Sequence, residues 1–117
     1  MPFRFRNFKV YNDAIEAYIF VVQITRDFPK EQYHLLSQLR RAALSVVLNI
    51  AEGSAKNSDK DFNRYLKNSL GSTNEVVAGL EVACRTSLIF EVAFNNALKM
   101  YENITNQLGG FSKKLKS

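Results

Sequence analysis

Helical periodicity is the feature of this sequence that most constrains its fold. Between residues 62 and 87, apolar and small side chains recur at alternating steps of four and three residues, which is the pattern of helices that pack nearly parallel to one another. The residues are Phe62, Leu66, Ser69, Thr73, Val76, Leu80, Ala83 and Ser87. Alternating strand patterns joined by Asn-Gly or Asp-Gly turns are absent from the sequence. The spacing therefore predicts an all-α protein.

The same spacing divides the chain into four helices within one domain of 117 residues. We predict helices over residues 8–27, 31–54, 58–87 and 91–108. Phe28-Pro29 separates the first two, because the residue before a proline disfavours the helical conformation. Ser58 caps the third helix, and Gly109-Gly110 ends the fourth. Since the connections are short, we predict an antiparallel up-down-up-down four-helix bundle with short basic N- and C-terminal tails that the bundle does not need.

The second predicted helix has a wider apolar surface than a monomeric bundle requires. Nearly every residue from Ala42 to Ala51 is apolar, and Ala17 to Val22 in the first helix is similar. A bundle helix needs an apolar stripe only a little more than about 100° wide. We therefore predict a homo-oligomer in which the additional apolar face meets another subunit. The alternative is that this helix is buried all round within one chain.

A narrow polar band runs along the second helix and faces the third. Its residues, with one from the third helix, are Gln38, Arg41, Ser45, Asn49, Glu52 and Glu75. If the two helices are antiparallel about a turn at residues 56–57, Gln38 faces Glu75 and Arg41 lies within a turn of it. The same register places Glu52 near Lys60 and Arg64. We predict that these opposite charges form ion pairs that fix the register, and a ligand-binding site is the alternative.

Positive charge is concentrated in the two ends of the chain. The net charge is +5 and the isoelectric point is about 9.5. The first nine and the last five residues each carry three basic side chains, whereas the residues between them have ten basic and eleven acidic ones. With a basic stripe near residue 60, the candidate nucleic-acid-binding residues are Arg4, Arg6, Lys9, Lys56, Lys60, Arg64, Lys67, Lys113, Lys114 and Lys116. Solubility alone is the alternative explanation.

The residues that most enzymes and metal sites require are scarce. His34 and Cys84 are the only histidine and cysteine, which excludes a disulfide, a cysteine-based zinc site and a di-iron site with two Glu-x-x-His pairs. We predict no catalytic residue, metal, cofactor or small-molecule substrate, and an enzyme built on Arg41, Glu52 and Glu75 is the least favoured alternative. Apolar stretches are too short to span a bilayer, so we expect a cytoplasmic protein without membrane contact.

The stretch from Gln38 to Gly53, QLRRAALSVVLNIAEG, resembles the signature of the four-helix-bundle family named for the 23S rRNA intervening sequence. The similarity continues in the segments FPKE before it and LGSTNE after it, and it extends along residues 8–108. One departure is Val10-Tyr11, where many members have a tryptophan. The resemblance implies a bacterial bundle that assembles as a ring, typically a homopentamer, and that lacks catalytic residues.

The sequence is also similar to the accessory variability determinant of diversity-generating retroelements, a basic pentameric barrel associated with nucleic acid. This resemblance and the basic ends together predict a non-enzymatic oligomeric bundle that binds RNA or a nucleoprotein partner. The alternative is a protein–protein adaptor or scaffold ring that does not bind nucleic acid.

Overall fold

The computed structural model describes residues 2–116, except for the side chain of Lys116. The described residues form four α-helices: α1 (Lys9–Ile24), α2 (Tyr33–Ser54), α3 (Asp59–Arg85) and α4 (Glu91–Lys116). Two short 3₁₀ helices precede α1 and α2, at Arg4–Asn7 and Lys30–Gln32, and we call the first of them the N-terminal turn. Since residues 2–116 contain no β-strand, the all-α prediction is confirmed.

The helices form the predicted antiparallel bundle, which is 44 Å long. α2 packs against α1 and α3, and α4 packs against the other sides of the same two helices. The heptad residues of α3 are buried from Phe62 to Ala83. The predicted last member, Ser87, is exposed, because α3 ends at Arg85 and not at residue 87. Polar members of this seam have partners, because Ser69 Oγ donates to the carbonyl of Val46 at 2.9 Å and Thr73 Oγ1 donates to that of Ser69. The seam therefore forms the core without unpaired hydroxyls at these two positions.

The predicted end of the fourth helix at residue 108 is wrong, because α4 continues through Gly109-Gly110 to Lys116. Neither glycine has the positive φ angle that a helix-ending glycine normally adopts. Beyond them, the ring of Phe111 packs 5.2 Å from that of Phe8 and 5.1 Å from that of Phe62. Burial of these rings offsets the low helix propensity of glycine, which is about 1 kcal/mol per residue. The basic C-terminal segment is thus part of a helix.

α1 ends at Ile24, three residues before its predicted end at residue 27. The next residue, Thr25, is fully buried, and its hydroxyl donates to the carbonyl of Val21 at 2.7 Å. Arg40 of α2 donates from Nε to the same hydroxyl and from Nη2 to the carbonyl of Val22, both at 3.2 Å. These bonds satisfy the last carbonyls of α1 and connect it to α2. The predicted cap of α3 is confirmed, because Ser58 Oγ accepts from the backbone of Asp61 at 3.1 Å.

α2 and α3 approach each other closely at Gly53. A Cβ atom added at Gly53 would lie 2.7 Å from Tyr65 Cβ and 3.0 Å from the ring of Phe62. A Cβ at Gly71, on the exposed side of α3, would meet no atom within 4 Å. α2 and α3 therefore need glycine at residue 53 but not at residue 71.

We expect Gly53→Ala to lower the free energy of unfolding by about 1–3 kcal/mol through overpacking. Gly71→Ala should raise it by as much as about 1 kcal/mol, since alanine has the higher helix propensity and nothing opposes it. Urea denaturation of both variants measures the two effects. Equal stability changes would contradict the close approach at Gly53.

Candidate nucleic-acid interface

Both ends of the chain meet the connection between α2 and α3 at one end of the bundle. Arg4 in the N-terminal turn donates from Nε and Nη2 to the carbonyl of Ser54, at 3.3 and 3.1 Å. Its guanidinium also lies 5.5 Å from the centre of the Phe62 ring, within cation–π distance. Near the other terminus, Ser112 Oγ donates to Asn63 Oδ1. We call the region formed by residues 2–13, 52–67 and 110–116 the basic end.

Charge is separated along the long axis of the molecule. The basic end contains ten Lys and Arg residues, all of them predicted nucleic-acid contacts, and four Asp and Glu residues. The remainder of the chain has six basic and seven acidic residues. The basic end thus carries the whole positive excess of the protein. A concentrated positive field of this kind attracts a phosphate backbone and raises its rate of association.

Some of the predicted contact residues are engaged within the chain. Arg4 holds the N-terminal turn against α2, so the N-terminal segment is packed on the bundle and is not a free tail. Lys9 Nζ lies 2.6 Å from Asp13 Oδ2. Lys56 precedes α3, which begins at Asp59, so it is not on the same helix as the other basic residues near residue 60. Lys56 Nζ lies over the Tyr65 ring. Arg4, Lys9 and Lys56 therefore have structural contacts as well as charge.

The other predicted contact residues are placed on the surface of the basic end. The exposed ones are Arg6, Lys60, Arg64, Lys67, Lys113 and Lys114, of which Lys114 also has an interaction within the chain. Arg64 Nη2 lies 3.8 Å from Asp61 Oδ1, but both side chains are more than half exposed, so this ion pair is weak. The side chain of Lys116 lies outside the described residues. A nucleic-acid phosphate can therefore reach these exposed side chains.

Tyr65 is a feature of this surface that the sequence did not reveal. Its ring centre lies 5.0 Å from Lys56 Nζ and 4.7 Å from Arg64 Cζ, so two cations contact one aromatic ring. Residue spacing does not specify this contact, because Lys56 lies in the connection before α3 begins at Asp59. An aromatic residue among cations is a common component of nucleic-acid-binding surfaces.

The polar band on α2 does not form the predicted ion pairs. No ion pair within 4.0 Å joins Arg41 to Glu75, or Glu52 to Lys60 or Arg64, in the part of the chain that the structure describes. Arg41 and Glu52 are exposed and remain hydrated, where pairing would contribute little.

The register that was predicted for α2 and α3 is confirmed. Gln38 Nε2 donates to Glu75 Oε2 at 3.2 Å. The hydroxyls of Ser45 and Ser72 are 2.8 Å apart, and Asn49 Nδ2 donates to the carbonyl of Ser45 at 2.9 Å. The band therefore joins the two helices through hydrogen bonds and not through ion pairs.

A carboxylate joins α1 to α4 near the basic end. Asp13 Oδ2 accepts from Lys9 Nζ, from Gln107 Nε2 at 2.7 Å and from Asn103 Nδ2 at 3.1 Å. Burial alone would raise the pKa of Asp13, but these hydrogen bonds and the charge of Lys9 hold that pKa below its ordinary value. A lowered pKa in the folded state means that the ionised carboxylate stabilises the fold.

We expect Asp13→Asn to lower the free energy of unfolding by about 1 kcal/mol at pH 7. The contribution is present above the ordinary pKa of an aspartate, about 4, and it is lost as the pH falls through the lowered pKa. The difference between the two proteins should therefore be smaller at about pH 2.5 than at pH 7, as measured by urea denaturation at both pH values. The same difference at both would contradict the role of the ionised group.

Other groups of chemical interest have no arrangement that suggests catalysis. His34 is exposed near the start of α2, and Cys84 is partly buried against the core. Among the described residues, no three His, Cys, Asp or Glu side chains are placed to hold a metal ion. Within the described residues, the hydroxyl of Tyr101 is buried without a hydrogen-bond partner, and burial raises the pKa of Tyr101. Within residues 2–116, every helix is too short or too polar to cross a membrane.

Comparison with known proteins agrees with this fold. In a crystal structure, a protein of unknown function from the S23 ribosomal protein family of Bacteroides thetaiotaomicron is 24% identical with a TM-score of 0.82. The similarity covers 89% of this chain and 98% of that chain, and it shows a shared fold. Comparison with curated proteins gave no match. Residues 6–110 match the family described as 23S rRNA-intervening sequence protein. Because this match covers most of the chain, the chain belongs to the 23S rRNA-intervening sequence protein family.

Proposed function

We propose that the protein is a non-enzymatic, oligomeric helical bundle that binds RNA, alone or within a nucleoprotein, through its basic end. The observation that carries the proposal is the meeting of three basic segments at one end of the bundle, joined by the hydrogen bonds of Arg4 to Ser54. The family description, which refers to an insertion in 23S rRNA, supports RNA as the class of partner. Binding through phosphate contacts needs no catalytic residue and little sequence specificity.

A gel-shift titration with RNA at 50 and 200 mM salt tests this proposal. Binding that weakens strongly with salt supports it, because each phosphate contact releases counterions. The chain contains no tryptophan, so co-purified nucleic acid is also readily detected from its absorbance at 260 nm. Failure to bind any RNA would contradict the proposal and leave the adaptor or scaffold as the better explanation.

The proposal includes assembly, for which three exposed apolar side chains provide the surface. Much of the wide apolar surface predicted on α2 is covered within the chain itself, as at Val46 and Val47. Ile19, Leu44 and Leu48 remain exposed by 44, 40 and 53%. The bonds from Arg40 to Val22 and Thr25 set a register that brings residue 19 of α1 close to residue 44 of α2. We name these three residues the α1–α2 patch.

Contact of the α1–α2 patch with a different surface of the neighbouring subunit would produce the ring, because a patch that meets its own copy closes a two-fold dimer. The family resemblance gives five as the expected subunit number. A ring presents several basic ends to one RNA strand. Avidity then increases the total affinity beyond that of each weak site. Assembly and RNA binding are thus linked in this proposal.

We expect Leu48→Asp to reduce the particle to a single chain of 13.3 kDa while leaving its helices folded, because Leu48 is exposed on the isolated bundle. Light scattering coupled to size exclusion measures the mass, and circular dichroism measures the helicity. Asn95→Asp, which introduces the same charge at an exposed position of α4, is the matched control and should assemble normally. A wild-type mass of 13 kDa at micromolar concentration would contradict assembly.

A further inference from the structure

Phe3 is the most exposed aromatic side chain of the basic end within the described residues, at 67%. Its backbone is left-handed, with φ 61° and ψ 33°, a conformation that is unfavourable for a bulky residue other than glycine. Strained conformations that persist in a folded protein are concentrated at binding sites. The strained backbone therefore holds an apolar ring where a partner can reach it.

The surrounding contacts hold the ring in place. The backbone N–H of Arg6 donates to the carbonyl of Phe3 at 3.1 Å and closes the N-terminal turn. The Phe3 ring meets Phe5 edge to face at 6.2 Å, and Phe5 meets Tyr11 in the same way at 4.9 Å. Arg4 fixes the turn to α2, as described above. Phe3 is therefore a presented surface and not the side chain of a loose tail.

Two cavities adjoin this ring. One cavity of about 540 Å³ is lined by Phe3, Arg6 and Asn12, and another of about 360 Å³ is lined by Phe3, Ser54 and Ala55. Arg6 is exposed beside the first cavity and offers a charge to a phosphate. Beyond the second, the α2–α3 connection leads to Lys56 and the Tyr65 cluster. A flat apolar ring between cationic groups is the arrangement that a single nucleic-acid strand uses, with its bases stacked and its phosphates paired.

We propose that Phe3 is a stacking platform for an unpaired base and that the basic end therefore prefers single-stranded to double-stranded RNA. This inference rests on the proposed RNA-binding function and specifies the form of RNA that is bound. In a duplex, the faces of the bases are already stacked on one another and are closed to an aromatic side chain. A second copy of the basic end is a poor partner for Phe3, because the positive charges of two basic ends repel each other.

The test measures fluorescence anisotropy of the full chain with a labelled single-stranded RNA and with a duplex of equal length. Phe3→Leu retains an apolar side chain but removes the aromatic face. We expect it to weaken single-strand binding by about 5–100-fold and to change duplex binding less than about 2-fold. Phe3→Tyr should bind as wild type does. Phe90→Leu is the matched control, because Phe90 is 82% exposed at the opposite end and should have no effect.

A second readout follows the stacked base itself. An RNA that contains 2-aminopurine should lose fluorescence when it binds the wild-type protein, and this quenching should be absent with Phe3→Leu. Unchanged single-strand affinity of Phe3→Leu would overturn the stacking role and leave the proposed function intact. Equal losses for single strand and duplex would also overturn it, since they would make Phe3 a structural residue. Absence of wild-type binding to any RNA would refute the proposed function and this inference together.

Discussion

A variant in which Arg6, Lys60, Arg64 and Lys113 are all changed to Gln should lose most of its RNA affinity and most of the salt dependence of that affinity. These residues are exposed on the basic end and supply the phosphate contacts in the proposed function. If the wild-type protein neutralises about six phosphates, raising the salt from 50 to 200 mM should weaken its binding by about 10³-fold. With four fewer contacts, the same change should weaken the variant by only about 10-fold.

The matched control removes four positive charges from elsewhere. Arg26, Lys30, Arg85 and Lys99 lie outside the basic end, and their replacement by Gln changes the net charge by the same amount. We expect this control to retain a salt dependence close to that of wild type. Equal losses of RNA affinity in the two variants would mean that the total charge, and not the position of the charge on the bundle, determines binding.

Phe62→Ala should lower the free energy of unfolding by about 3–5 kcal/mol, the largest stability effect that we predict. Phe62 is only 2% exposed and packs against Phe8, Phe111 and the guanidinium of Arg4. Its loss would create a cavity where the N-terminal turn, α3 and α4 meet. Urea denaturation measures the change.

Phe90→Ala provides the comparison for this prediction. Phe90 is 82% exposed, so its removal should alter the free energy of unfolding by no more than about 0.5 kcal/mol. A loss below about 1 kcal/mol for Phe62→Ala would contradict the packing of the last turns of α4, and with it the extension of that helix through Gly109-Gly110.

The features of the fold that depend on repeated patterns were predictable from the sequence. The heptad spacing of α3 identified its buried residues from Phe62 to Ala83 except Asn63, and the hydroxyl of Ser58 identified its first turn. The register of α2 and α3 followed from the turn between them, as the bond from Gln38 to Glu75 confirms. The meeting of the basic segments also follows from topology, because four antiparallel helices place both termini and the α2–α3 connection at the same end.

Features that depend on individual tertiary contacts were not predictable in this way. Gly109-Gly110 is a strong local signal for the end of a helix, but packing of Phe111 against Phe8 and Phe62 overrides it. The predicted pair of Arg41 and Glu75 satisfies charge and register, yet hydration of exposed charges outweighs pairing there.

Side-chain directions account for what the sequence missed at the candidate site. The spacing of residues in the sequence does not specify that Arg4 reaches Ser54, or that Lys56 lies over Tyr65. The exposed, left-handed position of Phe3 is likewise visible only in three dimensions.

Photo-crosslinking of the wild-type protein to a single-stranded RNA that contains 4-thiouridine tests the central claim most directly. Mass spectrometry of the digested complex identifies which segments lie against the RNA. We predict crosslinked peptides from the basic end, within residues 2–13, 52–67 and 110–116. Crosslinks concentrated at the opposite end of the bundle, within residues 25–34 and 85–92, would contradict the basic end as the RNA-binding surface.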